Sequence, residues 1–192
     1  MSLYNDNVAY CEDTRTELLD GKIVAMATPD ANHNTIVLNI ALIFKAYLQG
    51  KPCQVYGDNM AVHFTKKDIC IPDVTVVCNK DIIKLRGIYG APDLVVEVLS
   101  PSTAKRDKGY KMDLYSRNGV REYWIVDTKS RSIEVYLQQG NRLTLDNVYT
   151  LLSSEYTDGI TEEELAEIPS ELKTSLFDDL IIKLEDVFVD MI

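Results

Sequence analysis

The stretch DLVVEVL, residues 93–99, constrains this chain more than any other. It begins just after Pro92 and runs almost unbroken in Val and Leu, as a strand covered on both faces must. SPSTAKRD (100–107) leads into a helix through about Arg117, with Ser102 or Thr103 as N-cap and Asn118-Gly119 as the stop. REYWIVD (121–127) is a second strand. Strand, helix and strand in that order predict a βαβ unit, a parallel pair joined by a right-handed crossover. An α/β fold follows, with a mixed sheet flanked by helices.

The remaining pattern fits around that unit. ELLDGKIVAM (17–26) places Asp20-Gly21 between two apolar runs, a hairpin signal. Pro29-Asp30 opens the long apolar stretch NTIVLNIALIFKAYLQG, whose length and closing Gly50 predict a buried helix. CQVYG (53–57), MAVHF (60–64) and CIPDVTVVC (70–78) read as strands, and SIEVYLQ (132–138) forms a hairpin with REYWIVD. RLTLDNVYTLL is a further strand pair, residues 161–175 are acidic and polar, and FDDLIIKLEDVFVDMI closes the fold as a helix. At 192 residues the chain suits one domain, 1–192, with an acidic C-terminal segment, 151–192.

Composition narrows the setting. Hydrophobic residues make up 46%, yet no apolar run reaches the roughly 18 residues of a membrane span. The N-terminus shows no secretion signal, so a cytoplasmic location is expected. Cys11, Cys53, Cys70 and Cys78 form no C-x-x-C pair and read as reduced, mostly buried thiols. The net charge is −10, and all of it lies in residues 151–192, where twelve acids face only Lys173 and Lys183. Lys105, Arg106, Lys108, Lys111, Arg117 and Arg121 stand against Asp107 and Asp113 in a local basic run that can seat phosphates.

Chemistry concentrates in three places. Asp73 lies among Ile71, Val74, Val76 and Val77, where a carboxylate is costly unless neutralised. Glu97 sits in the most hydrophobic strand, and alternation puts Asp93, Val95, Glu97 and Leu99 on one face, Leu94, Val96 and Val98 on the other. On the following helix Asp107, Lys111 and Tyr115 recur every four residues and share a side. Two acids embedded in neighbouring strands invite a hard divalent cation. A lysine beside them can orient or help deprotonate an attacking water, or offset phosphate charge.

The segment GAPDLVVEVLSPSTAKRDKGYKMDLYSRNGVREYWIVD, with ELLDGKIV, His33 at a helix start and IPDVTVV upstream, resembles the Uma-type family of the PD-(D/E)xK nuclease superfamily. The resemblance spans roughly residues 15–137. It implies a restriction-endonuclease-like fold and a metal-dependent endonuclease acting on nucleic acid, in the first instance DNA. The implied cofactor is Mg2+, with Mn2+ as substitute. By it Asp73 matches the Asp of the PD half-motif and Glu97 the D/E position. The superfamily lysine is missing at Leu99, and Lys111 fits a variant in which the following helix supplies it. Pro92-Asp93 competes as a PD pair, but Asp93 lies about 13 Å from Glu97 along one strand, too far to share an ion.

His33, Asp107 and Tyr115 are supporting residues on this reading; Lys105, Arg106 and Lys108 are the nucleic-acid contacts. Cutting both strands of a duplex with one site per chain favours a homodimer. Each residue also has a plain structural alternative: Asp73 as a strand-edge cap, Glu97–Lys111 as a buried ion pair, Asp107 as a partner of Lys111, His33 as a hydrogen-bonded helix-start residue, and Tyr115, Tyr123 and Trp124 as core aromatics. A catalytically inactive dimeric scaffold and a hydrolase of small phosphoesters remain as other functions. A nucleophile elbow, a Walker loop and a dinucleotide fingerprint are all absent from the sequence.

Overall fold

The computed structural model describes residues 15–153, 157 and 159–192. Its centre is a six-stranded sheet in the order β12-β11-β10-β9-β6-β3. Here β3 is Gln54–Tyr56, β6 Val74–Val77, β9 Leu94–Val98, β10 Glu122–Asp127, β11 Ser132–Gln139 and β12 Arg142–Thr150. Only β9 and β10 are parallel, joined by the crossover that the sequence predicts; every other pair in this sheet is antiparallel. RLTLDNVYTLL gives the single long strand β12 instead of a pair.

Alternation along β9 sorts its side chains between two cores. Leu94, Val96 and Val98 pack with Ile36, Ile40 and Phe44 of α1 (Ala31–Tyr47) and with the C-terminal elements. Val95 faces the other way, towards Leu114 and Tyr115 of α3 (Met112–Asn118). α1 begins where Asp30 caps His33 N, but it is not buried all round: Leu38 and Leu42 are exposed.

The hairpin of β1 (Thr16–Leu19) and β2 (Lys22–Ala25) turns through Asp20 and Gly21, at φ 51° and 73°. Two consecutive left-handed residues are what a tight hairpin turn requires. This hairpin starts a second six-stranded sheet, β2-β1-β5-β4-β8-β7, with β4 Val62–His63, β5 Ile69–Cys70, β7 Ile83–Lys84 and β8 Gly87–Tyr89. CIPDVTVVC is therefore two strands, not one. Pro72 has no N–H to donate, so the run breaks between β5 and β6.

The crossover helix is also interrupted. A short α2 (Ala104–Arg106) and α3 flank one π-helical turn, Asp107–Lys111. Gly119, at φ 83°, ends it. The C-terminal segment departs most from the sequence reading. The segment read only as acidic and polar carries α4 (Glu162–Glu167) and β13 (Glu171–Lys173), and where a single closing helix is expected come β14 (Ile181–Lys183), paired with β13, and a short α5 (Leu184–Phe188). Charged Lys173 and Lys183 alternate with buried Leu172 and Ile182, a period-2 pattern that suits strands.

The cysteine expectation is corrected. Cys53 and Cys78 are joined in a disulfide, because β3 and β6 pair Gln54 with Val77 and so bring the next residues face to face. No spacing motif announces this. Cys70 is a buried free thiol, and Cys11 lies outside the described residues. Among the described residues no helix is long and apolar enough to cross a membrane.

Candidate active site

β6 and β9 pair Val74 with Val96, so one further step of the same antiparallel register brings Asp73 opposite Glu97. Asp73 occupies the bend just before β6, where its Oδ2 accepts Val98 N at 2.7 Å and lies 3.3 Å from His33 Nε2. Glu97 points from β9 towards the π-turn, and its Oε1 accepts Lys111 Nζ at 2.9 Å and Tyr115 OH at 2.6 Å. Asp73 and Glu97 line one cavity of about 40 Å3, together with Glu17, His33, Asp107 and Lys111.

Lys111 is the hub. Only 3% exposed, its ammonium lies 2.8 Å from Glu17, 2.9 Å from Glu97 and 3.7 Å from Asp107. Burial disfavours the ammonium, but Glu97, Glu17 and Asp107 outweigh it and hold the Lys111 pKa above the ordinary lysine value. Burial pushes Glu97 well above the usual carboxylate range; Lys111 pulls it back, and Asp107, Asp73 and Glu17 push it further up. Asp107 is raised for the same first reason, burial, again opposed by Lys111. His33 is raised because its contact with Asp73 overcomes the cost of its burial. π-turns recur at functional sites, and this one carries both Asp107 and Lys111 inward.

The donor set suits a hard cation. Both contacts of Asp73 fall on Oδ2 and both of Glu97 on Oε1, which leaves Oδ1 and Oε2 to a ligand. Buried Asp107 Oδ1 has no hydrogen-bond partner among the described residues. Among the described residues no three of His, Cys, Asp and Glu converge closely enough to hold an ion unaided. A cation at Asp73 and Glu97 would therefore complete its shell with water and substrate oxygens, as Mg2+ commonly does.

Glu17 escaped the sequence reading. Its signal is faint but present: on β1 it shares the buried face with Leu19. What it touches, Lys111 and the Ile71 amide at 2.9 Å, depends on β1–β5 pairing that no local pattern reveals. The basic run is largely spent on the protein's own acids. Lys108 pairs with Glu134 at 2.6 Å, Arg117 with Asp68 at 3.6 Å and Arg121 with Asp93 at 3.5 Å. Arg106 lines the cavity, and Lys105 is exposed outside it.

A mixed sheet with a parallel β9–β10 pair, flanked by helices, and two facing acids with a helix-borne lysine define the restriction-endonuclease-like class of α/β fold. The family model Uma2, described as "Putative restriction endonuclease", matches residues 5–168, and the chain belongs to that family. Its relatives include the uncharacterized proteins slr1290 and sll1609 of Synechocystis sp. (strain ATCC 27184 / PCC 6803 / Kazusa). The first is 34% identical over 122 residues, 62% of this chain and 64% of the relative, so the match spans less than two thirds of that protein. The second is 25% identical over 132 residues, 67% of this chain and 75% of the relative. Among solved structures, a chain from Anabaena variabilis ATCC 29413 described as a "putative nuclease belonging to DUF820" superposes with a TM-score of 0.67. That match, at 18% identity, covers 90% of this chain and 89% of the other, and it establishes the fold.

Proposed function

We propose that the chain is a metal-dependent endonuclease that hydrolyses phosphodiester bonds of DNA, with Asp73 and Glu97 holding the ion and Lys111 as the adjacent fixed cation. One observation carries this reading: two carboxylates from neighbouring strands line a single cavity beside a buried lysine. The all-oxygen donor set suits Mg2+, with Mn2+ as substitute. Bound between Asp73 and Glu97, such an ion would supply activation of a water and offset the charge of the phosphate.

The chain's own residues have separate tasks. Lys111 stays protonated in its ring of carboxylates, so it stabilises negative charge rather than accepting a proton. Tyr115 OH and Lys111 Nζ fix the Glu97 carboxyl through Oε1, and the Val98 amide fixes Asp73 through Oδ2. His33 braces Asp73 from the start of α1. At about 40 Å3 the cavity has room for an ion and a few waters but not for a nucleotide. The substrate must present its phosphate at the mouth, which favours a polymer lying across the site over a small phosphoester enclosed within it.

Within the basic run from Lys105 to Arg121, exposed Lys105 and cavity-lining Arg106 are the residues free to meet the backbone of the DNA, and Lys108 can join them only by leaving Glu134. Cleavage of both strands calls for two sites, and exposed Leu38 and Leu42 on α1 offer apolar surface for a homodimer. The test is conversion of supercoiled plasmid to nicked and linear forms with Mg2+ or Mn2+. Wild-type protein is expected to cut, and Asp73→Asn and Glu97→Gln to lose at least about a hundredfold in rate. Wild-type protein that binds Mn2+ yet leaves the plasmid intact would favour an inactive scaffold instead.

A further inference from the structure

The floor of the cavity cannot receive a phosphodiester by itself. Glu17, Asp73, Glu97 and Asp107 line it, and its one buried cation, Lys111, is already engaged by three of them. A phosphate brought to this place meets like charge unless other cations receive it. The same lining holds two further cations, Arg15 and Arg106.

We infer that Arg15 and Arg106 form a two-guanidinium seat for the phosphodiester of DNA at the mouth of the carboxylate cavity, with Asp58 holding Arg15 in position. The inference rests on the reading of the cavity as a nuclease site and says how that site accepts its substrate.

Arg15 meets Asp58 as a two-pronged fork, NH1 donating to Oδ2 at 2.8 Å and NH2 to Oδ1. Asp58 is in turn fixed by the Asn59 amide, which donates to its Oδ1 at 2.8 Å. The fork uses two of the five N–H donors of a guanidinium, and the buried Nε of Arg15 has no partner among the described residues. Arg106 is freer still. Its hydrogen bond is to the Ala25 carbonyl at 3.5 Å, the outer limit for such a bond, and its buried Nε is likewise unpartnered.

Each guanidinium keeps terminal N–H groups that these contacts leave over, and two such arginines lining one cavity suit a ligand rich in acceptor oxygens. A phosphodiester is such a ligand, and the planar guanidinium suits it better than a lysine would. Of the other members of the basic run, Lys105, Lys108, Arg117 and Arg121 do not line this cavity, and Lys111 is buried among its carboxylates. Arg15 stands outside that run, and the β1–β2 hairpin brings it here.

The experiment is fluorescence anisotropy of a fluorescein-labelled twelve-base-pair DNA duplex with the full chain, in chelator, across a range of salt. Arg15→Gln and Arg106→Gln should each weaken binding by about tenfold and lower the slope of log affinity against log salt by about one. Asp58→Asn should weaken it by about threefold, because Arg15 keeps its charge but loses its anchor. Arg15→Lys should recover only part of the loss, since charge is restored without the fork. If Arg15→Gln disturbs folding by circular dichroism, Arg15→Lys and Asp58→Asn carry the test.

Unchanged affinity and unchanged salt slope in both glutamine variants would overturn the seat, as would a wild-type protein that binds no duplex. Plasmid cleavage run in parallel separates the two readings. A wild-type protein that binds through these arginines but never cuts removes the nuclease reading and leaves the seat. A protein that cuts, with KM unmoved in both variants, removes the seat alone.

Discussion

Glu97 on β9 and Glu122 on β10 are buried acids on neighbouring parallel strands, and their surroundings differ in kind. Glu122, fully buried, accepts four hydrogen bonds, from Trp124 Nε1 at 2.6 Å, Ser175 Oγ at 2.6 Å, Ser175 N at 2.8 Å and Thr174 Oγ1 at 2.9 Å. Every one of those donors is neutral, and the result is a pin that fastens the segment after β13 to the central sheet. Glu97 has two donors on one oxygen, a second oxygen left over, four other carboxylates lining the same cavity and one lysine shared with Glu17 and Asp107. A buried acid whose needs are met locally is architecture. One left crowded by like charge is where the proposed metal ion would sit.

The largest effect should come from Lys111→Met. It removes the only ammonium among buried Glu17, Glu97 and Asp107, and leaving such charge uncompensated should cost about 3–5 kcal/mol of stability by chemical denaturation. The variant should regain much of this when Mn2+ is added. Loss of stability without rescue by metal would make Lys111 a purely structural ion-pair partner.

Glu122→Gln sharpens the contrast from the other side. The amide presents donors to donors, so about 1–3 kcal/mol of stability should be lost. Added divalent metal should not rescue it, and plasmid cleavage by the folded fraction should be normal. A cleavage defect in folded Glu122→Gln would erase the distinction between the two acids.

The smallest effect concerns pH. Burial raises the pKa of Glu97 and Asp107, so the folded chain holds their protons more tightly than the unfolded chain does. Between the usual values, 4.5 for the glutamate and 3.8 for the aspartate, and the raised folded ones, the folded state carries the extra protons. Their contribution to stability therefore falls as pH rises through that window, by at most about 1.4 kcal/mol per pH unit for each group. Denaturation from pH 5 to 8 should show this slope in the wild type and less of it in Glu97→Gln. An equal slope in both would mean that Glu97 is ionised throughout.

What could be read from the sequence follows the range of the interactions involved. Asp20-Gly21, the β9–helix–β10 unit and the inward face of Glu97 are set by neighbours within a few residues, and each is where the pattern puts it. The four-residue spacing of Asp107, Lys111 and Tyr115 likewise predicts a shared side, on which Lys111 and Tyr115 meet Glu97 and Asp107 lies near Lys111. Glu17, Arg15 and the Cys53–Cys78 disulfide depend on strand pairings that bring distant residues together. Glu122 looks in sequence just like Glu97, an acid in an apolar strand. Only the loop bearing Thr174 and Ser175, more than fifty residues away, separates the two cases. The π-turn left no periodic trace, because it shifts the helical phase by a single residue.

The most direct test of this difference is titration calorimetry with Mn2+ on the wild type, Glu97→Gln and Glu122→Gln. Saturable binding is expected for the wild type and for Glu122→Gln, with affinity lost by tenfold or more, on the order of 1.4 kcal/mol, in Glu97→Gln. Equal binding by wild type and Glu97→Gln, or no binding by the wild type, would contradict that expectation.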